Sequence, residues 1–279
     1  MLDQLLDVLQ VKPEGELRFL GDNMHPKAYR VYGGQVLAQA VMAARYTVDD
    51  DRELHSQHAY FLRPGNPRED IHFTVEPALD GGSFSSRRVV ASQQGKPILV
   101  SSISFQRPGE GEVFQASKPA MPAPDSLPSE RELALKDGKL DDNFMITTGT
   151  DLDVRVEDPI DWDNPVERPP VIRAWMKTTE ALPDQPALHQ SVLAYMSDCF
   201  LIDVCLATRG LTFQDGSLQV ASLDHALWFH RPLRADQWLL HEVHAEAMAG
   251  GRGLGRGNFY TEDGTLVATT MQQGLMRPR

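Results

Sequence analysis

The chain has 279 residues, 41% of them hydrophobic and 24% charged, with a formal net charge of −12; this is an ordinary globular composition, long enough for one large core or two average ones. The acidic balance argues against a nucleic-acid partner, because phosphate backbones are bound by lysine and arginine, but it leaves open a small anionic ligand held by a few local cations. No apolar run reaches the roughly 18 residues of a membrane span, so membrane insertion is not expected. Residues 1–12 lack the basic segment of a signal peptide and Met276 to Arg279 form no organellar address, so the expected location is the cytoplasm.

In chain order, residues 2–10 read as a short amphipathic helix and 16–20 as a first strand. Gln35 to Ala44 is Ala-rich, free of Pro and Gly, and apolar nearly all round, which predicts a buried helix. Strand patterns follow at 54–63, 71–79, 83–93 and 97–106, separated by Pro64-Gly65-Asn66-Pro67, Asp80-Gly81-Gly82 and Gln94-Gly95-Lys96, residues that preset or permit turn dihedrals. Residues 107–150 carry Pro119, Pro122, Pro124 and Pro128 and read as a stiff linker with one short surface helix over 129–140. Strands are then predicted near 151–158 and 171–179, and a helix over Ala187 to Leu206, ended by Arg209-Gly210. The chain closes with strands near 217–230, 237–248, 253–261 and 265–275. Cys199 and Cys205 sit six apart in that second helix, roughly 240° around its axis, which disfavours a disulfide.

The two ends share one grammar. Ala59-Tyr60-Phe61-Leu62-Arg63-Pro64 is matched by Leu227-Trp228-Phe229-His230-Arg231-Pro232, with Tyr60 and Trp228 separated by 168 residues. Gly95 to Val100 is matched by Asp263 to Ala268. A supersecondary unit used twice makes a fused pseudo-dimer. It divides the chain into an N-terminal repeat (1–106), the linker (107–150) and a C-terminal repeat (151–279), each a helix followed by an antiparallel meander in an α+β arrangement. A site is expected between the copies, where pockets form.

Several familiar motifs fail. Gly81-Gly82-Ser83-Phe84-Ser85 lacks the last glycine of a nucleophile elbow. His241-Glu242-Val243-His244 is one residue short of zinc-protease spacing, and no metal site is expected. The run Gly250 to Gly257 leads into a strand rather than a helix, which suggests close approach of another backbone more than a phosphate cradle. Arg252 and Arg256 could still meet phosphates through their guanidinium forks. His55 and His58 point to opposite faces of a strand, so they form no joint metal site, although His58 could face a pocket. His225 and Asp224, being adjacent, also point apart.

Longer runs carry a resemblance. Val31 to Val36, His55 to Gly65, Ser83 to Val89, Leu193 to Asp198, Ala221 to Pro232 and Thr270 to Arg277 resemble, in order, the bacterial acyl-CoA thioesterase II family. The likeness spans nearly the whole chain and weakens in 107–150. It implies a double hot-dog fold, two fused repeats each with a long apolar helix wrapped by an antiparallel sheet. It also implies hydrolysis of fatty acyl-CoA of medium to long chain, without metal or organic cofactor. The resemblance places an acid, a hydroxyl and an amide on Asp198, Ser222 and Gln272, which would jointly hold one water. The middle position is usually threonine in the family; serine keeps the oxygen and loses the methyl that restricts the rotamer.

The chemistry suits such a set. Thioester hydrolysis needs a water that loses a proton as it attacks, and a carboxylate can take it. A hydroxyl and a carboxamide supply the donor and acceptor that fix the rest of that water. By residue pattern alone, Ser222 and Gln272 are ordinary strand polar residues and Asp198 a solvated helix position. Two rival readings stay open: a non-catalytic acyl-CoA binding protein, and an enoyl-CoA hydratase suggested loosely by Asp22-Asn23-Met24-His25-Pro26. Because hot-dog units pair through their sheets and exposed edges need cover, a homodimer or tetramer is expected.

Overall fold

The computed structural model describes residues 2–138, 146–213 and 215–279. It contains the helices α1 (Leu2–Leu9), α2 (Gly33–Arg45), α3 (Glu130–Lys136), α4 (Pro186–Met196) and α5 (Asp203–Ala207). The strands are β1 (Lys12–Gly15), β2 (Arg18–Gly21), β3 (Glu53–Phe61), β4 (Ile71–Asp80), β5 (Phe84–Gln93), β6 (Lys96–Gln106), β7 (Leu152–Val156), β8 (Val171–Thr178), β9 (Leu218–Ser222), β10 (Asp224–Phe229), β11 (Leu239–Ala249), β12 (Arg252–Thr261) and β13 (Leu266–Pro278). The predicted 16–20 strand is the second arm of a hairpin, turned at Leu17 with φ 58°. The predicted surface helix is α3, and residues 139–140 of that prediction, like 139–145 of the linker, lie outside the described residues.

All strands join one antiparallel sheet in the order β1-β2-β4-β5-β6-β3-β10-β13-β12-β11-β8-β7, with β9 also on β13. The simple meander expected in each half is therefore corrected: β3 pairs with β6 and not with β4. The reason is the seam. β3 leaves its own half to pair with β10, where Ala226 lies opposite His58, Asp224 opposite Tyr60 and Trp228 opposite Ser56. Since 226 − 58 and 228 − 60 both equal 168, the strands meet about their own repeat equivalents, as the two copies in a twofold dimer do.

α2 and α4 pack against each other, α2 also lies against β3 to β6, and their apolar residues join a core running from Leu5 to Met276. In α2 every residue from Gly34 to Ala44 is buried. Its two glutamines are satisfied inside: Gln39 donates to Val8 O and Asp22 O, and Gln35 to Asp22 O and Asn23. That is the condition for burying amides at tolerable cost.

Residues 115–127 do more than span the halves. They strap across the outer face of the second half, where Trp175, Leu240 and Tyr260 lie side by side on β8, β11 and β12 and would otherwise meet water. Met121 and Leu127 cover that row, Trp175 Nε1 donates to Pro122 O at 2.8 Å, and Gln115 pairs with Gly264 O and Leu266 N. At the repeat equivalents of Leu240 and Tyr260 stand His72 on β4 and Ser92 on β5, paired in the same way and polar, so they need no cover.

Candidate active site

The predicted helix Ala187 to Leu206 is in fact broken. α4 ends at Met196, Ser197 and Asp198 turn away, Phe200 takes φ 68°, and α5 begins at Asp203. Asp198 is thus a turn residue and not a helix-face residue. The turn is pressed onto the sheet where glycines leave room. A Cβ on Gly255 would stand 2.1 Å from Leu201 O, one on Gly253 3.0 Å from Cys205 Sγ, and one on Gly274 2.7 Å from Ile202. The glycine-rich run is therefore a bed for this turn, as close approach suggested. Cys199 and Cys205 are buried free thiols; burial pushes Cys199 up to about 12, so it is inert as a nucleophile.

From the turn, Asp198 reaches across the seam to the start of α2. Gly34 N donates to its Oδ2 at 2.9 Å. Tyr32, the residue before that helix, makes no side-chain cap, so the acid from the other half satisfies an otherwise orphan helix N–H and meets the positive end of the dipole. Oδ1 is buried and has no hydrogen-bond partner. The walls are Phe61, whose ring lies 3.0 Å from where a Gly33 Cβ would be, and Tyr32, which donates to Tyr195 O. Desolvation pushes the nearby Asp203 up to about 7, and the charge of Asp198 adds to that shift.

Ser222 and Gln272 are brought together. Gln272 Nε2 donates to Ser222 Oγ at 3.0 Å. The strand predicted over 217–230 is two strands, because Ser222 opposes Gly274 while Ala226 opposes Met271, four residues against three. This one-residue bulge changes the facing of Ser222 relative to the strand that follows. It lets Ser222 and His225, which strand parity would put on opposite faces, both touch Gln272. His225 Nδ1 lies 2.6 Å from Gln272 Oε1, and its Nε2 lies 2.9 Å from Ser197 Oγ and 3.2 Å from Thr270 Oγ1. His225 is 1% exposed. The sequence was right that it does not pair with Asp224, whose Oδ1 accepts from Gln273 N. What it missed was that Ser222 and His225 share Gln272; the bulge that permits this carries no glycine or proline to announce it.

The other candidates lie elsewhere. His58 is exposed on the outer face, packed edge-on to Trp228 at 5.0 Å; it is three residues from Phe61, which faces Asp198. Arg256 is also outward-facing and paired with Glu246 at 2.7 Å. Arg252 is exposed and donates to Gly250 O. The residues between them, Gly253 and Gly255, face inward, so alternation turns both arginines from the site. None of the three meets the acid, hydroxyl and amide. Among the described residues no cluster of three His, Cys, Asp or Glu side chains could hold a metal ion.

Residues 167–275 match the acyl-CoA thioesterase family, and residues 20–106 match the acyl-CoA thioesterase N-terminal domain. The acyl-CoA thioesterase 2 of Haemophilus influenzae is 34% identical, with 99% of this chain and 98% of that one covered. The chain belongs to the acyl-CoA thioesterase II family. The acyl-CoA thioesterase II of Mycobacterium marinum superposes with a TM-score of 0.81 at 36% identity, covering 100% of this chain and 99% of that one. A hot-dog protein of unknown function from Alicyclobacillus acidocaldarius superposes at 0.79 with 17% identity over 99% and 98% of the two chains, which speaks to the fold alone. This thioesterase is accordingly a thioester hydrolase with a hot-dog fold.

Proposed function

We propose that this thioesterase hydrolyses medium- to long-chain fatty acyl-CoA to fatty acid and free CoA, using a water held by Asp198, Ser222 and Gln272. The observation that carries the reading is the divided state of the Asp198 carboxylate. Gly34 fixes Oδ2, while Oδ1 is buried with no hydrogen-bond partner. A buried carboxylate oxygen without a donor is costly, and a water proton is the donor this chemistry would supply. Oδ1 takes that proton as the water attacks the thioester carbon. Ser222 and Gln272, already bonded to each other, hold the water's remaining proton and lone pair.

The Asp198→Asn variant keeps an acceptor for Gly34 N–H and removes the base. Its release of thiol from decanoyl- or palmitoyl-CoA is expected to fall by about 10²–10⁴-fold, the usual contribution of a positioned base. Turnover at the wild-type rate would take Asp198 out of that role. Tight acyl-CoA binding in calorimetry with no thiol released from the wild-type protein would favour the binding-protein reading instead.

A further inference from the structure

We propose that His225 is a positioning residue: as a neutral ring protonated on Nδ1, it decides which end of the Gln272 carboxamide faces Ser222. The inference rests on the reading of Gln272 as a holder of the attacking water.

A carboxamide has two ends of nearly equal shape and opposite chemistry, so only its partners select the orientation. Gln272 Oε1 can only accept, and it lies 2.6 Å from His225 Nδ1, so Nδ1 must carry the proton there. On the other side of the ring, Nε2 faces the hydroxyls of Ser197 and Thr270, either of which can donate to it. Both hydroxyls have a second option, Ala194 O for Ser197 and Ala226 O for Thr270, so one can turn while the other stays. Burial lowers the ring's proton affinity and outweighs the Asp198 and Asp224 carboxylates and the Gln272 bond, which act the other way, so the ring carries one proton.

Two consequences follow from a single proton on Nδ1. The amide turns its N–H end to Ser222 and keeps a second N–H for the site. Were the proton on Nε2, Nδ1 would need a donor, the amide would invert, and its carbonyl would face Ser222; a donor of the site would become an acceptor. The same ring also ties two elements together, because Ser197 immediately precedes Asp198 while Gln272 belongs to β13. His225 thus locks the turn bearing the acid to the strand bearing the amide. At the repeat-equivalent position (225 − 168 = 57) stands Gln57, which bonds Leu37 O, so the histidine belongs only to the half with the acid, hydroxyl and amide.

The test uses the full-length protein with ¹⁵N-labelled histidine. Long-range ¹H–¹⁵N correlations, with the His225 signal assigned by its loss in His225→Asn, are expected to show a neutral ring protonated at Nδ1. In thiol-release kinetics, His225→Leu is expected to lower kcat by about 30–100-fold with KM within about twofold, comparable to losing one preorganised donor. His225→Asn, whose N–H falls near Nδ1, is expected to retain kcat within about fivefold, which a purely structural role would not produce. A ring protonated at Nε2, or a folded His225→Leu with wild-type kcat, overturns the proposal. If His225→Leu does not fold, the wild-type tautomer decides. The underlying reading fails separately: active Asp198→Asn removes the base assignment whatever His225 shows, whereas inactive Asp198→Asn beside active His225→Leu removes only this proposal.

Discussion

Gly33→Ala displaces the Asp198 carboxylate while leaving its chemistry intact. Gly33 is the first residue of α2 and its backbone lies outside the left-handed region, so alanine is conformationally permitted. In a helix that exchange normally stabilises by about 0.5–1 kcal/mol. The new Cβ, however, would stand 2.7 Å from Asp198 Oδ2, and 3.0 Å and 3.1 Å from the Phe61 ring. Even close carbon–oxygen contacts keep about 3.3 Å, so the carboxylate must retreat by roughly 0.6 Å. Starting from 2.9 Å, the Gly34 bond then stretches to about 3.5 Å, where little of it remains. Losing a hydrogen bond to a charged group costs about 1.5–3 kcal/mol, and a misplacement of about 1 Å at a reacting group can cost about 10²-fold in rate. The loss outweighs the helix gain by about 0.5–2.5 kcal/mol, so the variant is expected to melt a few degrees below wild type and to release thiol from decanoyl-CoA with kcat reduced about 10- to 100-fold and KM little changed. A folded variant with kcat within about twofold of wild type would refute the idea that Gly34 holds Asp198 in its working position.

Ser222→Ala removes the acceptor of Gln272 Nε2 and should lower kcat about tenfold, while Ser222→Thr, which restricts the rotamer, should match or exceed wild type; steady-state kinetics on one acyl-CoA decides both. Gly255→Ala drives a Cβ to 2.1 Å from Leu201 O, a backbone clash no rotamer relieves, and should cost more than about 2 kcal/mol in denaturant unfolding. Glu130, the first residue of α3, is pushed by burial from 4.5 up to about 7. A folded-state pKa raised above the unfolded one means the native state holds the proton longer. The stability is therefore full below about pH 4.5 and is lost as pH rises through about 7, by at most about 3 kcal/mol. Glu130→Gln should flatten the dependence of unfolding free energy on pH across that window, and an unchanged slope would show that Glu130 does not titrate as argued.

The hydrophobic periods in the sequence located nearly every strand and the buried helix α2, because those elements are set by local propensity and by one face meeting the core. The matched Arg-Pro strands also pointed to two copies of one unit, and β3 and β10 do pair about their repeat equivalents. What the sequence could not show is where close contact overrides pattern. Nothing between Ala187 and Leu206 announces a break, yet the helix opens at Ser197 because its continuation is seated on Gly253, Gly255 and Gly274 of distant strands. The strand through Ser222 looked uniform, and only its pairing with β13 introduces the bulge that lets Ser222 and His225 share Gln272. Likewise the prolines of residues 107–150 read as a stiff spacer, because the Trp175, Leu240 and Tyr260 row they cover exists only once three strands lie side by side. Periodicity along the chain fixes which face of an element is buried; which distant residue meets that face depends on register and on the absence of a Cβ, and both are properties of the assembled sheet.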